Sequence, residues 1–163
     1  MNIFYLDRDP SVAAQMHCDQ HVVKMILESA QMLSTAHRFF EKDQPWCDSK
    51  GLYKMTHVNH PSTMWARTST KNYKWLHSLL VNLCEEYTRR YGKKHATERL
   101  IEPLQRVPDY LKRFNEFTDP PQCMPDEYKR DCAVAGYREF YKGDKSRFAA
   151  WKKTRPAPVW WEK

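Results

Sequence analysis

Apolar side chains recur at helical spacing along two long stretches of the chain. From Asp19 to Phe40 the positions Val23, Ile26, Leu27, Ala30, Leu33 and Ala36 follow the period of a helix with no glycine or proline between them, which predicts an uninterrupted core helix. His60-Pro61-Ser62-Thr63 opens a second one, in which Trp65, Asn72, Leu76, Leu79, Leu80, Leu83 and Tyr87 fall along one side until Gly92 ends it as a C′ residue. Between the two, residues 41–59 carry Pro45 and Gly51 with no sustained period and read as loop or short irregular pieces. Upstream, residues 2–6 alternate weakly and read as extended, and Asp9-Pro10 sets a carboxylate at the N-cap and a proline at N1 of a helix. Downstream, shorter helical stretches cover 97–106, 109–117 and 126–141, with Asp119-Pro120-Pro121 as a break and Gly143 as a stop. Beyond Phe148 the chain is proline-stiffened and its tryptophans need a surface to lie on. The expectation is an all-α fold: one compact bundle over residues 1–163 around two long helices, with an irregular aromatic and basic tail at 154–163 packed on the body or on nucleic acid.

Size and charge narrow the partners. The 163 residues suit one domain, and a mean hydropathy of -0.84 leaves no run of about 18 apolar residues that could span a bilayer. The first residues have no basic start followed by an apolar stretch, so no secretion signal is read and the cytoplasm is the expected compartment. The 5 cysteines are odd in number and form no C-x-x-C pair, which argues for reduced thiols over a disulfide framework or a cysteine zinc site. Lys and Arg number 27 against 20 acids, a net +7. Residues 137–163 hold eight basic and three acidic residues, so most of that excess sits in the last segment.

Four groups of residues could carry chemistry. If the core helix ran unbroken from His17, then His17, His21, Lys24, Glu28, Gln31 and Thr35 would share a sector of roughly 80° beside the apolar face; this stripe is either a solvated face or the wall of an active site. The knot His57-Val58-Asn59-His60-Pro61 at the mouth of the second long helix is either a simple entry turn or a place for a backbone phosphate. Arg67, Lys71 and Lys74 follow at i, i+4, i+7 as a basic row, suited to phosphates and equally to plain solubility. Lys145, Arg147, Trp151, Lys152, Lys153 and Arg155 interleave charge with aromatic rings, a mixture that fits phosphate contact plus stacking on bases. A histidine and carboxylate metal site from His17, His21 and Glu28 with His57 and His60 has no zincin spacing. No cofactor or metal is assigned, and no glycine-rich phosphate loop or G-x-S-x-G elbow is present.

Asp19-Gln20-His21, followed seven positions after the histidine by Glu28, resembles the start of the pyrimidine-dimer DNA glycosylases of the phage endonuclease V type. The Asn59-His60-Pro61 entry to a long helix with basic residues near its end, and the aromatic and basic segment around Trp151-Lys152-Lys153 and 158–161, are similar to later parts of that family. The resemblance implies a monomeric enzyme acting on duplex DNA, damaged or modified, through its N-terminal α-amine. That nucleophile would be Met1, forming a Schiff base at C1′ that releases the base and then breaks the strand by β-elimination, with Glu28 as acid and base and His21 orienting the site. An α-amine titrating at about 7.7–8.0 is roughly a tenth neutral at pH 7, whereas a lysine at about 10.4 is neutral only a few parts in ten thousand. Two positions differ from the family pattern. Asn2 is bulky and should leave Met1 in place where the phage members expose a threonine, and the arginines flanking the family glutamate, which serve DNA contact near the lesion, are Leu27 and Gln31 here, so the resemblance does not by itself imply dimer specificity. The alternatives are a non-catalytic nucleic-acid-binding protein using Arg67, Lys71, Lys74 and the tail, and a histidine/carboxylate metalloenzyme.

Overall fold

The computed structural model describes residues 1–40 and 44–162. Glu41, Lys42 and Asp43, at the start of the predicted loop, and Lys163, at the end of the tail, lie outside the described residues. Among the described residues there are helices and turns and no strand, as the all-α expectation requires.

Helix α1 spans Pro10–Met16 and starts as its sequence dictates, with Asp9 accepting the N–H of Ser11 and Pro10 at N1. His17 and Cys18 interrupt it, and α2 runs over Asp19–Phe40, the range its apolar period predicts. The break takes His17 off the α2 face, so the stripe assumed for a helix continuous from His17 begins at His21 instead. A short α3, Gln44–Ser49, lies within the stretch read as loop.

The second long helix is cut in two. Its first part is α4, Pro61–Ala66, and its second is α5, Thr70–Tyr91. Arg67 and Thr68 donate their N–H groups to Met64 and Trp65, three residues back, which tightens and ends α4. Ser69 then caps a new start by accepting the N–H of Asn72. Gly92 closes α5 in the left-handed conformation, φ 68°. Of the shorter helices expected downstream, 97–106 becomes a 3-10 turn, Ala96–Leu100, and α6, Ile101–Leu104. The stretch 109–117 keeps only the 3-10 turn Asp109–Arg113, because Thr70 bonds the Phe114 carbonyl and draws the following residues along α5 as extended chain. Helix α7, Ala133–Gly143, is the surviving part of 126–141.

The buried apolar residues form one core cluster, with α2 and α5 as the principal pair, α1 against α5 and α4 against α2. Residues 3–6 thread through this core, each at most 3% exposed. The tail folds back onto the body. Trp151 donates to the Met16 carbonyl at 3.0 Å, Trp160 packs edge-on against Tyr141, and Lys152 N–H donates to Asp19 at 2.8 Å.

Candidate active site

The N-terminal segment, residues 1–6, is held by aromatic contacts. Phe4 lies on the His21 ring with centroids 4.3 Å apart, and Tyr137, Phe140 and Tyr141 surround it. Its φ of 52° is costly for a bulky side chain, and strain of this kind persists only where packing over-determines it. His21 is 3% exposed, and its Nδ1 lies 2.6 Å from the Tyr141 hydroxyl. Burial, then the charges of His17, Lys145 and Lys24, push its pKa down to about 2, so the ring is neutral. Among these contacts His21 is a platform beneath the segment that carries Met1.

Met1 is fastened to the start of α4. Ser62 donates its hydroxyl to the Met1 carbonyl at 3.4 Å, Thr63 donates to the Met1 sulfur at 3.8 Å, and the Met1 amine lies 3.4 Å from Nε2 of His60. His60 is also the N-cap of α4, its Nδ1 accepting the N–H of Ser62 at 3.1 Å. The turn that delivers it depends on His57, which adopts φ 48° and accepts the His60 N–H. Cys123 arrives from the far side, its sulfur 3.6 Å from the Ser62 hydroxyl, and a hollow of ≈ 540 Å³ lined by His60, Pro61, Pro121, Cys123 and Lys129 opens beside the cluster.

Glu28 stands on the edge of α2, one turn beyond Lys24. Its Oε1 is 3.8 Å from the Lys24 ammonium, whose side chain is 61% exposed. Its Oε2 is buried and has no hydrogen-bond partner. No ion pair joins it to the Met1 amine. Desolvating a carboxylate oxygen without a donor is costly.

The basic residues divide by burial. Lys71 and Lys74 project from α5 into solvent. Arg67, expected in line with them, is 9% exposed in the break between α4 and α5, stacked over Phe39 at 4.2 Å and donating to the Val58 carbonyl at 2.6 Å; burial lowers its pKa. Lys145 pairs with Asp144 and lies 4.5 Å over Phe140, close to the Phe4 and His21 platform. Arg147, Lys152 and Lys153 are exposed, with Lys153 5.6 Å over Tyr91. Arg155 grips Glu86 at 2.7 Å, and Trp151 is half-buried under the tail. Among the described residues no three His, Cys, Asp or Glu side chains gather as a metal site, so His17, His21 and Glu28 do not form the ligand set considered above.

Sequence reading named Met1, His21, Glu28 and His60 but missed Ser62, Thr63, Phe4, Tyr141 and Cys123. Ser62 and Thr63 could have been found, since small hydroxyl residues after His-Pro at a helix start have N–H groups and carbonyls to serve. Cys123 carries no local signal; only the fold brings it 61 residues back to Ser62. A family model described as "Pyrimidine dimer DNA glycosylase" matches residues 1–99, from the N-terminal segment through α5 into the first 3-10 turn. No curated protein and no solved structure matches the chain.

Proposed function

The chain belongs to the pyrimidine dimer DNA glycosylase family, and from that premise we propose that it is a base-excision DNA glycosylase and abasic-site lyase whose nucleophile is the Met1 α-amine and whose acid and base is Glu28. The observation that carries the reading is the buried, donorless Oε2 of Glu28, a carboxylate oxygen kept free on a helix edge.

In this scheme the amine attacks C1′ of the target nucleotide. The C1′–N bond to the base breaks as the new C1′–N bond forms, and the departing base takes the electron pair and a proton. The Glu28 carboxylate stabilises the positive charge that develops on the sugar. Loss of the amine proton and opening of the sugar ring give the protonated imine, and removal of a C2′ proton by Glu28 then expels the 3′ phosphate by β-elimination. Exposed Lys24, Lys71, Lys74, Lys152 and Lys153, with His57, bind the DNA backbone, while His21 and Phe4 hold the segment that presents the amine. Leu27 and Gln31 stand where the family places arginines, so the target is taken only as a damaged or modified base in duplex DNA.

Borohydride trapping on abasic and damaged duplexes tests the scheme. A covalent adduct is expected, lost on acetylation of the N-terminus and strongly reduced in Glu28→Gln, with mass spectrometry placing the sugar on Met1. An adduct indifferent to both changes, or no adduct on any damaged duplex, overturns it.

A further inference from the structure

We propose that the hollow lined by Tyr5, Arg8, Trp75, Phe117 and Asp119 binds a guanine base, stacked on the aromatic walls and read by the two charged groups. The proposal does not rest on the glycosylase reading above, and one wall of the hollow, at residues 117–119, lies beyond the residues that the family model matches.

Local structure brings these groups together. Trp65 donates its indole N–H to the Thr118 carbonyl at 2.8 Å, and Asn72 accepts the Thr118 N–H and donates to its hydroxyl, both at 3.0 Å. With residue 118 clamped on an extended stretch, residues 117 and 119 project to the same side, and both line the hollow. Trp75 lines it from α5, its indole N–H donated to the Arg8 carbonyl at 2.8 Å. Tyr5, 1% exposed, packs on Trp75 at 5.0 Å, and Trp65 stands edge-on to Trp75 at 6.3 Å and to Phe117 at 6.2 Å. Among the described residues no ring contact joins Trp75 to Phe117 themselves. Rings held from behind thus border a space of ≈ 460 Å³, within the about 300–1,000 Å³ of small-molecule sites.

The polar groups give the ligand its identity. Exposed Arg8 and exposed Asp119 form no ion pair among the described residues, and Asp7, next to Arg8, is taken by Arg138 at 3.4 Å. A guanidinium has five N–H donors, so the contact of Arg8 with the Cys132 thiol leaves several for a ligand. Burial, then the Asp119 carboxylate, push the Tyr5 pKa up to about 12, so the phenol keeps its proton as a donor to Asp119. A carboxylate has about four lone-pair sites, which leaves Asp119 able to accept two more N–H groups. Of the DNA bases only guanine sets two N–H donors side by side, on N1 and N2, with the acceptors O6 and N7 next to them for a guanidinium. Adenine and cytosine place a ring nitrogen beside their amino group, and thymine flanks its N–H with carbonyls, so each turns a lone pair toward Asp119.

The test titrates the whole chain with GMP, AMP, CMP and TMP and follows tryptophan emission, the shared phosphate cancelling between them. GMP should bind about tenfold or more tightly than the others, the worth of one good bidentate pair. Asp119→Asn, an exposed change of the same shape, should abolish that preference and leave Tm unchanged. Phe117→Ala should weaken all four by about 5- to 150-fold, the worth of one stacked ring, and keep their order. No GMP binding, equal affinities for the four, or a preference indifferent to Asp119→Asn overturns the proposal. So does binding of choline in place of GMP, which would make the hollow a cage for an ammonium cation. Duplexes with one unpaired guanine or one unpaired thymine then identify the source. A preference for the guanine bulge, lost in Asp119→Asn, means that the base is taken from DNA, and GMP binding without that preference means a free nucleotide; either carries the proposal. Since no covalent trapping is read, failure here leaves the Met1 and Glu28 scheme standing, and failure of that scheme leaves this site standing.

Discussion

Two carboxylate clusters lie along α2 and its neighbours, and they differ in how completely their oxygens are partnered. At the start of α2, Asp19 accepts from Arg90 at 3.2 Å through one oxygen and from the Lys152 N–H at 2.8 Å through the other. Glu86, on α5, accepts from Arg155 through one oxygen at 2.7 Å and from Arg90 through the other at 2.9 Å. Arg90 itself, with its side chain fully buried, also donates to the Gln15 and His17 carbonyls. Arg90 thus ties the end of α1, the start of α2 and the last turns of α5 together, and Arg155 and the Lys152 N–H fasten the tail to the same two carboxylates. Nine residues further along α2, Glu28 has a distant, exposed lysine for one oxygen and nothing for the other. The carboxylates of the clasp are saturated, whereas Glu28, like Glu98 elsewhere in the fold, keeps one buried oxygen with no hydrogen-bond partner. The comparison also divides the D-Q-H motif: Asp19 belongs to the clasp, and only Glu28 belongs to the open edge.

The largest effect is expected from acid, acting through buried histidines on both sides of the comparison. Burial is the main cause that lowers the pKa of His17 to about 4, of His21 to about 2 and of His37 to about 4. Unfolded, each titrates near about 6.5. Between pH 6.5 and 4 the unfolded chain therefore binds protons that the folded chain does not, so stability is full above about pH 6.5 and falls as pH falls. Three such groups together cost up to about 4 kcal/mol per pH unit, against a domain stability on the order of 5–15 kcal/mol. Cooperative unfolding with a midpoint above pH 4, followed by circular dichroism and tryptophan emission, is expected. Native signal retained at pH 4 would mean that these rings accept protons in place.

Glu86→Ala comes next. It takes the Glu86 carboxylate from both Arg90, which keeps Asp19 and two carbonyls, and the partly exposed Arg155, so the cost should fall at or below the low end of the about 3–5 kcal/mol typical of breaking a buried pair from one side. Urea titration should show that loss, with the tail released to protease. Glu28→Gln should do the reverse. Trapping should drop about 10²- to 10⁴-fold, the usual worth of a positioned acid or base, while stability changes by less than about 0.5 kcal/mol, because no partner is orphaned. Should Glu28→Gln destabilise the protein as Glu86→Ala does, the distinction between the two clusters fails.

The contrast explains what the sequence could tell. Helix α2 was readable to the residue, since its apolar period and its lack of breakers are local facts. The cut at residues 67–69 was not, because a helix-compatible Ser69 became a cap only once Arg67 was drawn under Phe39. Glu28 and Met1 entered as what the family resemblance implies, on the D-Q-H segment and the step from it to the glutamate. What the spacing could not supply was partner count. Asp19, Glu86 and Glu28 look alike in a sequence, and only the arrival of Arg90, Arg155 and the Lys152 N–H from elsewhere in the chain tells them apart. The tail could be read only as charge and aromatic rings that would pack on the body or on nucleic acid; that Arg155 pairs with Glu86 depends on the fold.

The smallest expected effect concerns Lys24, the one cation paired with Glu28. It sits 3.8 Å away with its side chain 61% exposed, and an i, i+4 pair in that setting is worth about 0.3–0.5 kcal/mol before salt screens it. Lys24→Ala should therefore leave the urea midpoint nearly unchanged. If Lys24 instead faces a phosphate in the complex, the same substitution should lower the slope of log affinity against log salt by about one, weakening binding to damaged and undamaged duplex alike. A large fall in stability would place Lys24 with Arg90 as a holder of the fold, and Glu28 would then have to be counted among the saturated acids. No change in the salt slope would remove Lys24 from the DNA face while leaving the Glu28 oxygen as bare as before.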